Sequence, residues 1–307
     1  MRALETRLGI SRDELRSAAS LAGAGYRPFN QLNKLRPFQK LNTARKLRKI
    51  DSPSDNLKRV QTQIYRRILR PLVLPAYLNG GIAGRSIIDN VMMHVGARSL
   101  VTVDIKAFFP SIDNREVFRV WREMLGFSDR ISSILTKLTT FERRLPQGAP
   151  TSALLANLVL HRLDGPIRAH CEKSAIAYST WIDDLAFSGD RPQQIIQTVT
   201  QTLSAAGFGI SHRKLRIMGP GDRKLLVGIV LNRFPNIRRE YIAQVRSGIH
   251  KLRVGLIPEN SLRPYINSLE GKIHHVAALA PTKSQKLLVD LASARHGDAP
   301  IPIQIRP

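Results

Sequence analysis

The chain has 307 residues and a net charge of +25, from 48 Lys and Arg against 23 Asp and Glu. With 43% hydrophobic residues it is not a disordered basic tail, and its length corresponds to roughly two or three domain-sized units. So basic a folded chain points to a polyanionic partner, and no apolar run approaches the ~20 residues that span a bilayer, which sets nucleic acid ahead of a membrane.

The predicted elements alternate along the chain. Residues 1–25 read as helical, with Ser11 as N-cap and Gly23–Gly25 as a stop. The opening MRALETRLGI mixes both charge signs and lacks the apolar core of a leader. Asn56–Leu69 has helical spacing and Pro71 ends it. Leu100–Ile105 alternates and is β-branched, as a strand is. Asn114 caps a helix to about Leu125, stopped by Gly126. Thr151–Leu163 is an apolar helix broken at Gly165–Pro166. Trp121, at helical spacing with Phe118, reads as core. Two apolar runs around Trp181–Asp184 form a hairpin pattern. Pro192–Ala206 is a helix, Leu225–Leu231 a strand, Phe234–Asn236 a turn, and helices follow from Glu240. The tail IPIQIRP reads as extended or unstructured. The middle is therefore an α+β arrangement resembling a split βαβ sheet with helices on one face.

The single Cys171 cannot form an internal disulfide or by itself build a zinc site, which is compatible with a reducing cytosol. His274–His275 lacks nearby cysteine or carboxylate partners and reads as surface. Basic residues concentrate in two regions. Residues 34–70 hold Lys34, Arg36, Lys40, Arg45, Lys46, Arg48, Lys49, Lys58, Arg59, Arg66, Arg67 and Arg70, and residues 213–253 hold a similar number. Any one of these side chains fits a solvated helix face, but two such regions flanking a less basic centre suit the walls of a nucleic-acid channel.

The acidic minority is more specific. Asp104 lies in LVTVDIKAFFPSI, and Asp183–Asp184 in YSTWIDDLAFSG. Alone, each reads as a turn residue or a hairpin tip. Adjacent carboxylates repel, so burying them needs a cation or hydrogen-bond donors. If the Asp104 strand lies beside the hairpin, the carboxylates converge at one sheet end. Such a cluster suits Mg²⁺, which takes oxygen ligands at ~2.0–2.1 Å. Two ions ~3.5–4 Å apart clamp the attacking and leaving oxygens of a phosphoryl displacement. The third segment, LPQGAPTSALLANLVL, puts Gln147 on a tight turn before a helix.

In this order the three segments resemble a reverse transcriptase, over about Arg48 to His250. Within that family the sequence is most similar to the bacterial retron type. GIAGRSIIDNVMMHVG resembles the retron pattern ahead of the catalytic strand, with Asn90 and His94 in its Asn-Ala-x-x-His signature, and LVGIVLNRFPNIRREY resembles the stretch that usually begins Val-Thr-Gly. Five positions depart from the family. Trp181 stands where Tyr is usual before the Asp pair, Val91 replaces Ala, Leu226-Val227-Gly228 replaces Val-Thr-Gly, and Ser211 replaces Asn.

The resemblance implies a right-hand polymerase fold, with fingers, a palm bearing an antiparallel sheet, and an α-helical thumb. An N-terminal helical segment would occupy 1–25, fingers 26–100 with part of 113–150, palm 101–234, and thumb and tail 235–307. It implies that Asp104, Asp183 and Asp184 bind two Mg²⁺, with Mn²⁺ as substitute and the Ile105 carbonyl as an extra ligand. Phe109 would be the gate rejecting a ribose 2′-hydroxyl by clash, and Gln147 would line the incoming nucleotide. Arg48 would contact its triphosphate, and Lys214 would donate a proton at the leaving pyrophosphate. Asn90, His94, Trp181 and Gly228 would contact RNA or primer; His94 reads equally well as a packed histidine.

The implied activity is RNA-directed DNA synthesis on a cognate structured non-coding RNA, primed from an RNA 2′-hydroxyl, in cytoplasmic antiphage defence. The implied partners are that RNA, its DNA product, deoxynucleoside triphosphates and a separate effector protein. Two alternatives stand beside this: a group II intron-like or other defence-associated reverse transcriptase, and a catalytically silent RNA-binding scaffold.

Overall fold

The computed structural model describes residues 2–20, 23–32 and 47–295. Lys34, Arg36, Lys40, Arg45 and Lys46 of the first basic region lie outside the described residues, as does the tail IPIQIRP. The chain divides into two compact units, the first reaching Val227 and the second beginning at Gly228.

The first unit opens with α1 (Arg2–Leu8) and α2 (Arg12–Ser20). The helical reading of this segment resolves into two helices, because Gly9 turns the chain with φ 64°. The Ser11 hydroxyl accepts from the Glu14 amide, so the expected cap stands, at the start of α2. A hairpin of β1 (Tyr26–Leu32) and β2 (Leu47–Pro53) follows. α3 (Asp55–Ile64) buries Leu57, Val60, Gln61 and Ile64, and widens into a π-type turn over Tyr65–Leu69 before Pro71. Then come α4 (Ile87–Met92), β3 (Ser99–Asp104), α5 (Phe108–Ser111) and α6 (Asn114–Arg119). The cap of α6 is Asp113, one residue before the expected Asn114, since its carboxylate accepts from the Arg115 and Glu116 amides at 2.9 Å.

α7 (Asp129–Thr139) is followed by α8 (Ser152–Leu163) and α9 (Gly165–Lys173). Pro166 sits in the first turn of α9, where its missing N–H costs nothing. α8 is apolar all round and correspondingly buried, with Leu154, Leu155, Leu158, Val159 and Leu160 in the core. β4 (Ala177–Trp181), β5 (Asp184–Gly189), α10 (Ile195–Ala205), β6 (Arg216–Met218) and β7 (Leu225–Leu226) complete the unit.

β3–β6 form an antiparallel sheet in the order β4-β5-β3-β6. β3 is central, so its LVTVD run is buried almost throughout. Tyr178 and Phe187 stack across the β4–β5 pair at 5.0 Å, and Trp121 is fully buried, as its helical spacing implied.

In the second unit β8 (Ile229–Val230) pairs with β9 (Asn236–Ile237). The expected strand over Leu225–Leu231 is thus two short pieces, divided where Val227 and Gly228 take φ 43° and 90°. Helices α11 (Arg239–Arg253), α12 (Glu259–Ala277) and α13 (Pro281–Arg295) enclose a separate core of Val245, Ile249, Leu269, Ile273, Val276, Leu287 and Leu291. His274 is exposed, while His275 is half-buried with its ring edge-on to Tyr241. Among the described residues no helix is long and apolar enough to cross a membrane.

Candidate active site

The register of the sheet brings the acidic segments to one end. Asp104, the last residue of β3, pairs with Asp184, the first of β5. Trp181 pairs with Asp184 across a two-residue turn of Ile182 and Asp183. Ile182 takes φ 61°, a conformation that a β-branched residue adopts only when its surroundings impose it. Further backbone bonds fix the three acids. The Ile105 amide donates to the Asp183 carbonyl at 2.9 Å, and the Ser211 amide to the Asp104 carbonyl at 2.8 Å. The Lys106 amide donates to Gly209 at 2.8 Å, so these bonds flank the Ile105 carbonyl without using it.

Electrostatics at this end favour a cation. Burial holds Asp183 above the ordinary carboxylate range, and the charge of Asp104 adds to it. Asp184 is raised by burial first, then by the charges of Asp183 and Asp104. Lys214 opposes both shifts, and its ammonium donates to Asp104 Oδ2 at 2.5 Å. Among the described residues no three acidic, histidine or cysteine side chains stand ready-arranged as a metal cage. The donor set still fits hard divalent cations: three carboxylates, two of them destabilised as anions, converge at one sheet end.

Beside the carboxylates opens a cleft of about 620 Å³, lined by Arg48, Lys49, Ala107, Pro110, Glu142, Arg144, Gln147 and Lys214 among others. Arg48, Gln147 and Lys214, far apart in sequence, meet there; Arg48 Nε donates to Gln147 Oε1 at 3.0 Å. Phe109 is half-buried in α5, between Ala107 and Pro110, with its ring edge-on to Phe108.

The residues that sequence reasoning missed are those shaping this cleft. Arg144 reaches the fully buried Asp51 of β2 through Nη1 at 2.7 Å and Nη2 at 3.3 Å. The Asp51 amide donates to the Gln147 carbonyl at 2.7 Å. A Cβ on Gly148, which takes φ 125°, would approach within 3.1 Å of the Asp51 carbonyl. The Gln147 turn is therefore moulded onto β2, and only glycine follows it. The available signal was Asp51, one of only two acids, with Asp55, inside the basic stretch 34–70.

Two residues expected at RNA or primer lie inside the protein. Asn90 and His94 are each 1% exposed. His94 Nδ1 and Nε2 bond the Ser188 and Ser179 hydroxyls at 2.8 and 2.7 Å, tying β5 to β4. Asn90 accepts from Asn79 at 3.3 Å. The His94 ring is thus spent inside the protein, and burial pushes it down to about 4, so it is neutral, while the buried Asn90 amide nitrogen has no hydrogen-bond partner among the described residues. Trp181 is half-buried beside the Ile182–Asp183 turn, and Gly228 opens the second unit.

A palm-like antiparallel sheet ending in carboxylates beside a cationic cleft defines a class, the template-directed nucleotide polymerases. The solved structure of a Sicinivirus RNA-dependent RNA polymerase (3Dpol) matches 95% of this chain and 68% of its own, with TM-score 0.54 at 13% identity. That likeness is one of fold, the right-hand polymerase fold. The family model for reverse transcriptase (RNA-dependent DNA polymerase) matches residues 38–236. The Retron Ec86 reverse transcriptase of Escherichia coli is 31% identical over 73% of this chain and 72% of its own length. The Retron Mx162 reverse transcriptase of Myxococcus xanthus is 27% identical over 79% of this chain, and the alignment spans 57% of that protein. The chain belongs to the reverse transcriptases, RNA-directed DNA polymerases, and within them to the bacterial retron type. Dependence on divalent metal comes with that family.

Proposed function

We propose that this chain copies part of a cognate structured non-coding RNA into DNA, primed from an RNA 2′-hydroxyl, by two-metal nucleotidyl transfer in antiphage defence. The observation that carries the proposal is the meeting of Arg48, Gln147 and Lys214 in one cleft at the carboxylate end of the sheet.

In this reading Asp104, Asp183 and Asp184 hold two Mg²⁺, replaceable by Mn²⁺, with the Ile105 carbonyl available as a further oxygen. Bound there, the ions stabilise charge on the attacking and leaving oxygens. Arg48 forks onto the triphosphate, which its planar guanidinium matches. Gln147, fixed by the Asp51–Arg144 pair, orients the incoming nucleotide. Phe109 presses on the sugar and excludes a 2′-hydroxyl. Lys214, whose ammonium stands against Asp104, would give its proton to the departing pyrophosphate. Trp181 stacks near the primer end, and Gly228 lies in the primer-grip stretch.

Fingers cover 26–100 and part of 113–150 and palm covers 101–234, so the last palm residues, from Gly228 on, belong to the second unit; the helices after 235 act as thumb. The partners are the RNA and its attached DNA, deoxynucleoside triphosphates and a separate effector protein, in the cytoplasm. Sequencing nucleic acid that co-purifies with the chain tests this. DNA joined to one structured RNA through a 2′,5′ linkage is expected, and RNA without attached DNA contradicts it.

A further inference from the structure

Behind the Asp183–Asp184 turn the chain runs against β4. The Thr180 amide donates to the Tyr77 carbonyl at 2.8 Å, and the Asn79 amide to the Thr180 carbonyl at 2.9 Å. Leu78 thereby pairs with Thr180 as a short parallel bridge. Arg85 holds this segment from its other side, donating to the Leu74 and Pro75 carbonyls at 2.5 Å and to Leu78.

Two glycines come next. A Cβ on Gly80 would lie 2.7 Å from both the amide nitrogen and Cγ1 of Ile182, and 2.9 Å from the Trp181 carbonyl carbon. The two backbones touch, and no side chain fits between them. A Cβ on Gly81 would lie 2.6 Å from Cβ of Ala153, in the first turn of α8. One turn along α8, the buried Asn157 donates to the Gly80 carbonyl at 2.7 Å and to the Ala153 carbonyl at 3.0 Å. The Gly80 turn is thus clamped between α8 and the strained residue Ile182. Strain of that kind persists only where the surroundings over-determine it. α8 also follows directly on the Gln147 turn, so one helix abuts both the nucleotide loop and the brace of the acidic turn.

We infer that Gly80 and Asn157 are positioning residues that hold Ile182 in its left-handed conformation and so set where the Asp183 and Asp184 carboxylates stand. The inference rests on the reading of those carboxylates as metal ligands. A displacement of about 1 Å at reacting groups costs about 10²-fold in rate.

The test uses the full chain with primer and RNA template, varying deoxynucleotide and Mg²⁺. Thermal unfolding and binding of labelled RNA are measured in parallel. Gly80→Ala and Asn157→Ala should each lower kcat by about 10²-fold and raise the Mg²⁺ needed for half-maximal rate, with KM for nucleotide and RNA affinity within about threefold of wild type. Adding Ile182→Gly to Gly80→Ala removes the Cγ1 contact and frees the turn, and should restore kcat about tenfold. Wild-type kcat in the folded variants, or a loss confined to RNA affinity or thermal stability, overturns the inference. If Gly80→Ala does not fold, Asn157→Ala decides by the same criteria. Asp183→Asn is run alongside: if it is active, the metal-ligand reading fails, whereas an inactive Asp183→Asn beside fully active Gly80→Ala and Asn157→Ala sinks the brace alone.

Discussion

His94 should make the first unit sensitive to acid in a way that one substitution removes. Its ring is 1% exposed and bonded through both nitrogens to Ser179 and Ser188. Burial lowers it from the ordinary 6.5 to about 4. Below pH 6.5 the unfolded chain therefore takes up a proton that the folded chain refuses. Stability contributed by the neutral ring is fully present above 6.5, falls as pH drops, and is lost by pH 4. That window corresponds to about 3 kcal/mol, at 1.36 kcal/mol per tenfold change in proton affinity. Urea unfolding followed by tryptophan fluorescence reports on this unit, which holds both Trp121 and Trp181. His94→Gln should be destabilised at pH 7.5 by about 1–3 kcal/mol through the disturbed hydroxyl bonds. Wild type should lose about 2–3 kcal/mol more than the variant between pH 7 and 4.5, a difference in which carboxylates common to both cancel. Parallel stability curves for the two proteins would refute the reasoning.

Other consequences concern the cleft. Phe109→Val should raise ribonucleotide incorporation relative to deoxyribonucleotide in single-nucleotide extension, and unchanged sugar selectivity removes the gate. Asp51→Asn leaves Arg144 without its bidentate partner; breaking a fully buried pair costs about 3–5 kcal/mol, and the partial exposure of Arg144 puts the expectation at about 2–3 kcal/mol. Since the Asp51 carboxylate fixes Arg144, three residues before Gln147, the same variant should raise KM for the nucleotide more than it lowers kcat. An unaltered KM in folded protein argues that the turn is held otherwise.

The sheet and its acids were legible because β-branched alternation and the Asp-Asp tip mark strands and a hairpin directly, and the helices around them carry strong caps and stops. The β1–β2 hairpin was not, since charged residues and prolines hide its period. α7 and β6 went unremarked too, one in a mixed stretch and the other only three residues long. For the site, chain-order motifs pointed to Arg48, Gln147 and Lys214, but not to the Asp51–Arg144 pair that shapes their cleft, because its members are 93 residues apart. For Asn90 and His94 the sequence left the choice open, because a signature says which residues recur, not which way they face. Only packing shows that His94 ties β4 to β5 and that Asn90 is buried against Asn79.

The measurement closest to the central claim is primer extension on an RNA template with Mg²⁺, comparing wild type with Asp183→Asn. The account predicts DNA synthesis by the wild type, its loss on chelation and recovery with added Mg²⁺ or Mn²⁺, and none by the variant although it folds and binds RNA. An Asp183→Asn protein that still extends the primer at the wild-type rate would contradict it.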